Sequence, residues 1–186
     1  MVQIWGATHA QIGLYAVIFD AILGIEAGDS TAVADYLEAD QNYANLNAKL
    51  YIPIFRAMAS WNALSVGLLK ESQTLASMAR DMIDLTGEDF SLSNIYALEG
   101  AHCAVVGDLD AAENKLKLAV KVARDQNAKA WELRAAIDLA RLLLEQDRAD
   151  EGIATLKPVS ESITDGDCSV DQKMAQDVLN SLRGKA

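Results

Sequence analysis

The stretch Ala97–Val122, ALEGAHCAVVGDLDAAENKLKLAVKV, decides the fold. It reads as an antiparallel pair of helices reversing at Gly107-Asp108. Small residues (Gly100, Cys103, Ala104, Ala112 and Ala119) stand where the two helices would cross. The pattern recurs on both sides. Gly28, Gly67, Gly107 and Asp147 fall in one column, at spacings of 39, 40 and 40. Seven residues before each stand Ala21, Ser60, Gly100 and Ala140, and four before stand Gly24, Ala63, Cys103 and Leu143. Five after come Val33, Ser72, Ala112 and Gly152; nine after, Leu37, Ala76, Leu116 and Leu156; twelve after, Asp40, Ala79, Ala119 and Val159. Asp40 alone is out of character. One helical hairpin cannot bury its own apolar face, so a repeated hairpin with small crossing residues implies a stack sharing a continuous core.

The expected fold is therefore all-α: four hairpins stacked right-handedly as a solenoid, closed by a C-terminal helix. The whole chain, 1–186, forms one repeat domain with units at about 8–48, 49–88, 89–128 and 129–167, and a cap at 168–186. The helices are placed at His9–Ala27 and Thr31–Leu46, Tyr51–Val66 and Lys70–Leu85, Leu92–Val106 and Leu109–Gln126, Lys129–Glu145 and Ala149–Thr164, with Ser169–Arg183 last. Asp29 and Ser30 are candidate N-caps. Pro53 suits a first helical turn, and Gly87 a left-handed terminator. Pro158 should kink its helix or split off the last turn. Val170, Met174, Val178 and Leu182 give the cap its apolar face.

Composition supports a packed helical protein. Apolar residues make up 51%, prolines number two, and β-branched and aromatic residues are too scattered for alternating strands. The net charge is −11, and no Lys or Arg precedes Lys49. Such a surface repels phosphate, which argues against nucleic acid and anionic membrane as partners. The stretch Lys115–Arg148 holds eight basic residues against five acidic and reads as solvated helix faces. Cys103 and Cys168 stand 65 positions apart and give neither a disulfide framework nor metal spacing, so a reducing cytoplasm is expected. The apolar run Ile12–Phe19 lacks a basic flank and is interrupted by Asp20, unlike a signal peptide. No run approaches the about 20 apolar residues that span a bilayer.

Small residues at these offsets resemble the tetratricopeptide repeat, with a unit near 40 residues in place of that family's 34. From about Ala97 onward the chain also resembles the C-terminal repeat region of large bacterial regulators. In those proteins a class III nucleotide cyclase or DNA-binding domain precedes an AAA-type ATPase module. The run Ala128–Leu142, AKAWELRAAIDLARL, carries that resemblance. It implies a sensory or regulatory region of a cyclase- or ATPase-linked protein. The chain has neither a P-loop nor cyclase residues, so no activity is implied with it.

Candidate chemistry is sparse. His9 and His102 lack positioned partners and read as structural. Cys103 fills a crossing position that Ala63 and Gly24 fill elsewhere, as a small apolar residue. Cys168 opens the cap helix among Asp165, Asp167 and Asp171, which work against a reactive thiolate. Asp165-Gly166-Asp167 has no calcium-loop spacing, and the glycines at 6, 13, 24 and 28 form no nucleotide cradle. No enzyme activity, cofactor or metal is expected.

A hairpin stack instead binds through the inner face of its first helices. Counting back from each turn places Tyr15, Ile18, Ile22 and Ile25 there in unit one. Ile54, Ala57, Trp61 and Leu64 follow in unit two, Asn94, Ala97 and Ala101 in unit three, and Arg134, Ile137 and Arg141 in unit four. The expected partner-binding residues are Tyr15, Ile54, Trp61, Asn94, Arg134 and Arg141. Trp61 and Tyr15 supply apolar anchoring, and the two arginines hold an acidic group. A protein segment or peptide is the expected partner. The apolar groove and array ends also allow self-association into a homo-oligomer.

Overall fold

The computed structural model describes residues 2–29, 31–45, 51–163 and 169–185, with the side chains of 2–12 and 169 left aside. These residues form nine helices and no strand: α1 (Val2–Glu26), α2 (Ala32–Asn45), α3 (Ile52–Ser65), α4 (Leu69–Thr86), α5 (Leu92–Val105), α6 (Leu109–Asp125), α7 (Lys129–Glu145), α8 (Ala149–Glu161) and α9 (Ser169–Arg183). The boundaries agree with the expected ones to within a residue, with two differences: α1 begins well before His9, and α8 stops three residues short of Thr164. Ser30, the Asp165-Gly166-Asp167 turn and Cys168 lie outside the described residues, as does the side chain of His9.

All four first helices end on one backbone device. Gly28, Gly67, Gly107 and Asp147 take left-handed φ values of 78°, 83°, 85° and 57°. The next residue's N–H reaches back five positions, from Asp29 to Gly24, Leu68 to Ala63, Asp108 to Cys103 and Arg148 to Leu143, at 2.8–3.0 Å. This closure satisfies carbonyls the helix would otherwise orphan and turns the chain back on itself. Asn127, at φ 54°, does the same for α6, with the Ala128 N–H on the Ala123 carbonyl at 2.8 Å; Gly87, at φ 71°, closes α4 with its own N–H on the Ile83 carbonyl at 2.8 Å. Asp108 then caps α6 by accepting the Ala111 N–H at 3.1 Å, and Asp29 accepts the Thr31 N–H at 2.9 Å before α2. Pro53 lies in the first turn of α3.

Pro158 neither ends nor splits α8, which runs three residues beyond it. The ring removes only the 158 N–H, and the final turn is closed by the Ser162 N–H on the Pro158 and Val159 carbonyls at 3.2 and 3.1 Å.

The chain divides between Ser91 and Leu92 into two compact units. In the first, α1 packs on α2 and α3, and α3 on α4. The crossings are close. A Cβ on Gly24 would stand 2.9 Å from that of Ala32. Ser60 and Ser72 interlock instead, each hydroxyl donating to the other's carbonyl at 2.6 and 2.7 Å. Asn62 Nδ2 ties α3 to the Ile22 carbonyl of α1 at 3.0 Å.

The columns of unit one need a correction in α2. Ala32, Tyr36, Ala39 and Tyr43 face inward, while Val33 is only partly buried and Leu37 is exposed. These inward positions lie 40 residues before Ser72, Ala76, Ala79 and Ile83, so the second helices keep a strict period. The one-residue deficit behind the spacing of 39 falls in the turn after Gly28.

Asp40 is thus not a misfit in a small-residue column. It is a buried acid aimed at a buried base. Arg56 donates Nε and Nη2 to its carboxylate at 2.8–3.2 Å, and Nη1 to the Met78 carbonyl at 2.7 Å. The guanidinium thus joins α2, α3 and α4. Beside it the fully buried Tyr36 hydroxyl has no hydrogen-bond partner among the described residues. Burial first, and the nearby Asp40 charge second, hold its pKa well above the usual phenolic value.

In the second unit α5 packs on α6 and α7, α6 on α7, α7 on α8, and α9 against both α7 and α8. Gly100 is required at the α5–α6 crossing, where a Cβ would stand 2.9 Å from Leu116 Cγ. Gly152 serves α9 as much as the α7–α8 crossing, since a Cβ there would meet Leu182 Cδ2 at 2.7 Å. The buried face of α9 is Ala175, Val178, Leu179 and Leu182; Val170 is exposed. Ion pairs brace the helices: Arg124 to Glu132 at 2.9 Å, Lys115 to Glu99 at 2.6 Å, and Arg148 to Glu113 at 2.6 Å. Arg148 and Lys117 together hold the Glu113 carboxyl down to about 2.

Two substitutions test this account. Asp40→Ala strands the Arg56 guanidinium in the core and is expected to cost about 3–5 kcal/mol in urea denaturation, with a smaller loss for Asp40→Leu combined with Arg56→Met. Gly107→Ala places a Cβ in the left-handed region and should cost about 1–2 kcal/mol.

Candidate functional site

The expected binding residues fall three to each unit, and each set has its own chemistry. In the first unit Tyr15, on α1, is half-buried. Its hydroxyl bonds that of Tyr43 at 2.7 Å, and its ring lies 5.2 Å from the Tyr43 ring and 5.6 Å from Phe55. Burial, then the bond to Tyr15, raise the Tyr43 phenol above its ordinary pKa, so the Tyr43 hydroxyl stays neutral at any physiological pH. Ile54 packs part-buried against the same core, and Trp61 is half-buried two α3 turns further on. Ile18, Ile22, Ile25 and Ala57, also expected on this face, are buried; first helices pack on one another and hide them.

Three aromatic residues absent from the expected set extend this patch. Phe19 stacks edge-on to Phe55 at 5.4 Å. Tyr51 lies 6.4 Å from Phe55 and 6.1 Å from Phe90. Phe19, Tyr51 and Phe90 are 42%, 43% and 37% exposed, so the cluster has a buried floor of Phe55 and Tyr43 and an aromatic rim in water. Column counting misses them because Tyr51 and Phe90 stand outside the regular hairpins. Tyr51 precedes α3 with a left-handed φ of 68°, and its N–H is taken by Glu88 Oε1 at 3.0 Å. The available signal is distributional: eight of the eleven Phe, Trp and Tyr residues lie between Tyr15 and Tyr96 once Trp5, Tyr96 and Trp131 are set aside.

In the second unit Asn94 is 6% exposed and lies inside the packed α5. Ala97 and Ile137 are likewise buried. Arg134 projects outward, but its Nε already donates to Asp171 Oδ2 of α9 at 2.7 Å, and its guanidinium lies 5.2 Å from the centre of the Trp131 ring. Arg141 Nη1 stands 3.7 Å from Asp138 Oδ1. Burial pushes the Asp138 carboxyl up to about 6, against the pull of Arg141. An acidic partner group would therefore have to compete with Asp171 and Asp138 for these cations.

His102 is buried, and burial lowers its pKa below the ordinary imidazole value in spite of Glu99; Cys103 beside it is a half-buried thiol. Among the described residues no group of three or more His, Cys, Asp and Glu side chains could hold a metal ion, and no helix is long and apolar enough to cross a membrane.

Stacked helical hairpins with left-handed turns, small-residue crossings and a closing helix define a helical-repeat protein. Residues 8–168 match the tetratricopeptide repeat-like domain family, and the chain belongs to that family. No curated protein and no solved structure matches it.

Asp138 supplies a test of the second unit's electrostatics. Its folded pKa is raised, so the stability it takes away appears as pH rises from about 4 through 6. Asp138→Asn should stabilise the protein by roughly 1 kcal/mol at pH 7.5, a figure reduced for the side chain's part exposure. The gain should vanish as pH falls toward 4, as followed by urea denaturation across that range.

Proposed function

We propose that this protein is a non-catalytic interaction module that binds a protein segment along the face of its first helices. The observation carrying this reading is the half-exposed aromatic cluster of the first unit. Large, stiff aromatic side chains lose little entropy on binding and concentrate at interface centres. A buried floor holds the exposed Phe19, Tyr51 and Phe90 rings in fixed positions, so a partner need not order them. Tyr15, Ile54 and Trp61 continue the same apolar surface. Arg134 and Arg141 give the second unit, taken by itself, cationic positions for an acidic group of a partner. Their present carboxylate partners make that contribution one of selectivity more than strength. The membership in a tetratricopeptide repeat-like family agrees with a scaffold role.

The regulator resemblance of Ala128–Leu142 has a packing explanation. Leu133, Ala136, Ile137 and Ala140 of that run are all buried in α7. The signature therefore does not require a cyclase- or ATPase-linked role.

The test is capture of partners from an extract of the source cells on immobilised protein. Trp61→Ala, and separately Phe19→Ala with Tyr51→Ala, should lower recovery of the bound proteins at least about tenfold, while the far-ultraviolet circular dichroism stays that of the unsubstituted chain. Unchanged capture by both variants would remove the binding face from this surface.

A further inference from the structure

The outer flank of the first hairpin is built like an interior surface and left open. Residue by residue, Leu14, Val17, Asp20 and Leu23 of α1 occupy the helical positions that Leu133, Ala136, Leu139 and Leu142 occupy in α7, at a spacing of 119. In α7 all four are buried; α6 packs on α7, and its Val120 and Arg124 line one groove with Leu139. In α1 the same positions border an open groove of about 700 Å³ between α1 and α2, with Val17 50% and Leu23 60% exposed. The groove extends from Leu14 to Ala27, about 20 Å of helix rise. That is the footprint of an amphipathic helix of three to four turns, whose i, i+3, i+4, i+7 side chains would seat on it.

Charge narrows the occupant further. The groove is rimmed by Asp20, Asp29, Asp35 and Glu38, and among the described residues no cation lines it. Asp29 and Asp35 are engaged by Thr31. Asp20 and Glu38 have no partner among the described residues. The helix that fills the equivalent place in the second unit, α6, carries Lys115, Lys117, Lys121 and Arg124, and Arg124 bonds Glu132 of α7. At this position the fold itself places an amphipathic helix whose flanking cation meets a carboxylate of the helix it covers, Arg124 on Glu132.

We infer that the α1–α2 flank is a second docking surface, independent of the aromatic face, and that it takes a lysine- or arginine-flanked amphipathic helix from another protein. The apolar stripe of that helix covers Leu14, Val17 and Leu23, and its basic flanks pair with Asp20 and Glu38.

The probe is a fluorescein-labelled peptide of about 18 residues, long enough to form a helix, with leucines at helical spacing and lysine flanks. A second peptide has every lysine replaced by glutamate. Fluorescence anisotropy with the full chain should show the lysine peptide binding at least about tenfold more tightly, with an advantage that falls as salt is raised. Leu23→Lys with Glu38→Lys should abolish most of that binding. Leu85→Lys with Asp84→Lys makes the same charge change on the exposed end of α4 and should leave it intact, as should Trp61→Ala. Equal binding of the two peptides, or equal loss from both lysine pairs, would overturn the proposal. So would a concentration-dependent dimer in sedimentation velocity that Leu23→Lys with Glu38→Lys abolishes while the peptide fails to bind, because a second copy would then be the occupant. The Trp61→Ala arm keeps the two surfaces separable: capture through the aromatic face can fail while this groove holds, and the reverse.

Discussion

Every hairpin in this protein depends on one backbone residue in the left-handed region at the end of its first helix. The closing bond from the following N–H to the carbonyl five residues back fixes where the second helix begins and how it is aimed. Small residues at the crossings then matter because the turn has already brought the helices together: Gly24 against Ala32, Ser60 against Ser72, Gly100 against Leu116. Three of the four turns use glycine, which reaches this conformation without steric cost. The fourth uses Asp147, among the few side chains that tolerate it. The last hairpin therefore holds the same geometry with some strain, offset by what α7 and α8 bury together and by α9 laid across them.

Much of this was legible in the sequence, because turn residues and small crossing residues are read directly from spacing. The helix limits of α7 and α9 come out to the residue. The reading fails where one column depends on another. A single-residue deficit after Gly28 shifts all of α2 by one position, turning Tyr36 inward in place of Leu37 and making Asp40 look misplaced. Its partner Arg56 lies sixteen residues away on another helix, and no periodicity links them. Pro158 does not split off the last turn of α8, because a proline near a helix end removes one hydrogen bond and the terminal turn can close without it.

The binding residues were less legible than the fold. Counting along a helix says which positions share a face, but not whether a neighbouring helix covers that face. Tyr15, Ile54 and Trp61 keep partial exposure, while Asn94 is enclosed and Arg134 is held by Asp171 of α9, which no pattern in α7 reveals. The exposed aromatic rim was missed because Tyr51 and Phe90 stand just before α3 and α5, off the counted helical columns, and Phe19 lies one position past the counted Ile18 on α1. Positions that escape the repeat are under no packing rule, which leaves them open to carry recognition.

The buried Arg56–Asp40 pair has a further consequence. Apolar helix faces are forgiving, since a leucine fits nearly as well against one alanine as against the next, and stacked hairpins with alanine-rich seams can slide. A one-turn slip of α2 along α3 moves the carboxylate about 5.4 Å and leaves a guanidinium enclosed without its counter-ion, with the Met78 carbonyl as its remaining acceptor. The alternative alignments are penalised by a charge in the core more heavily than by any loss of apolar contact. The pair acts as a key cut for one register, in the part of the molecule where the repeat itself is out of step.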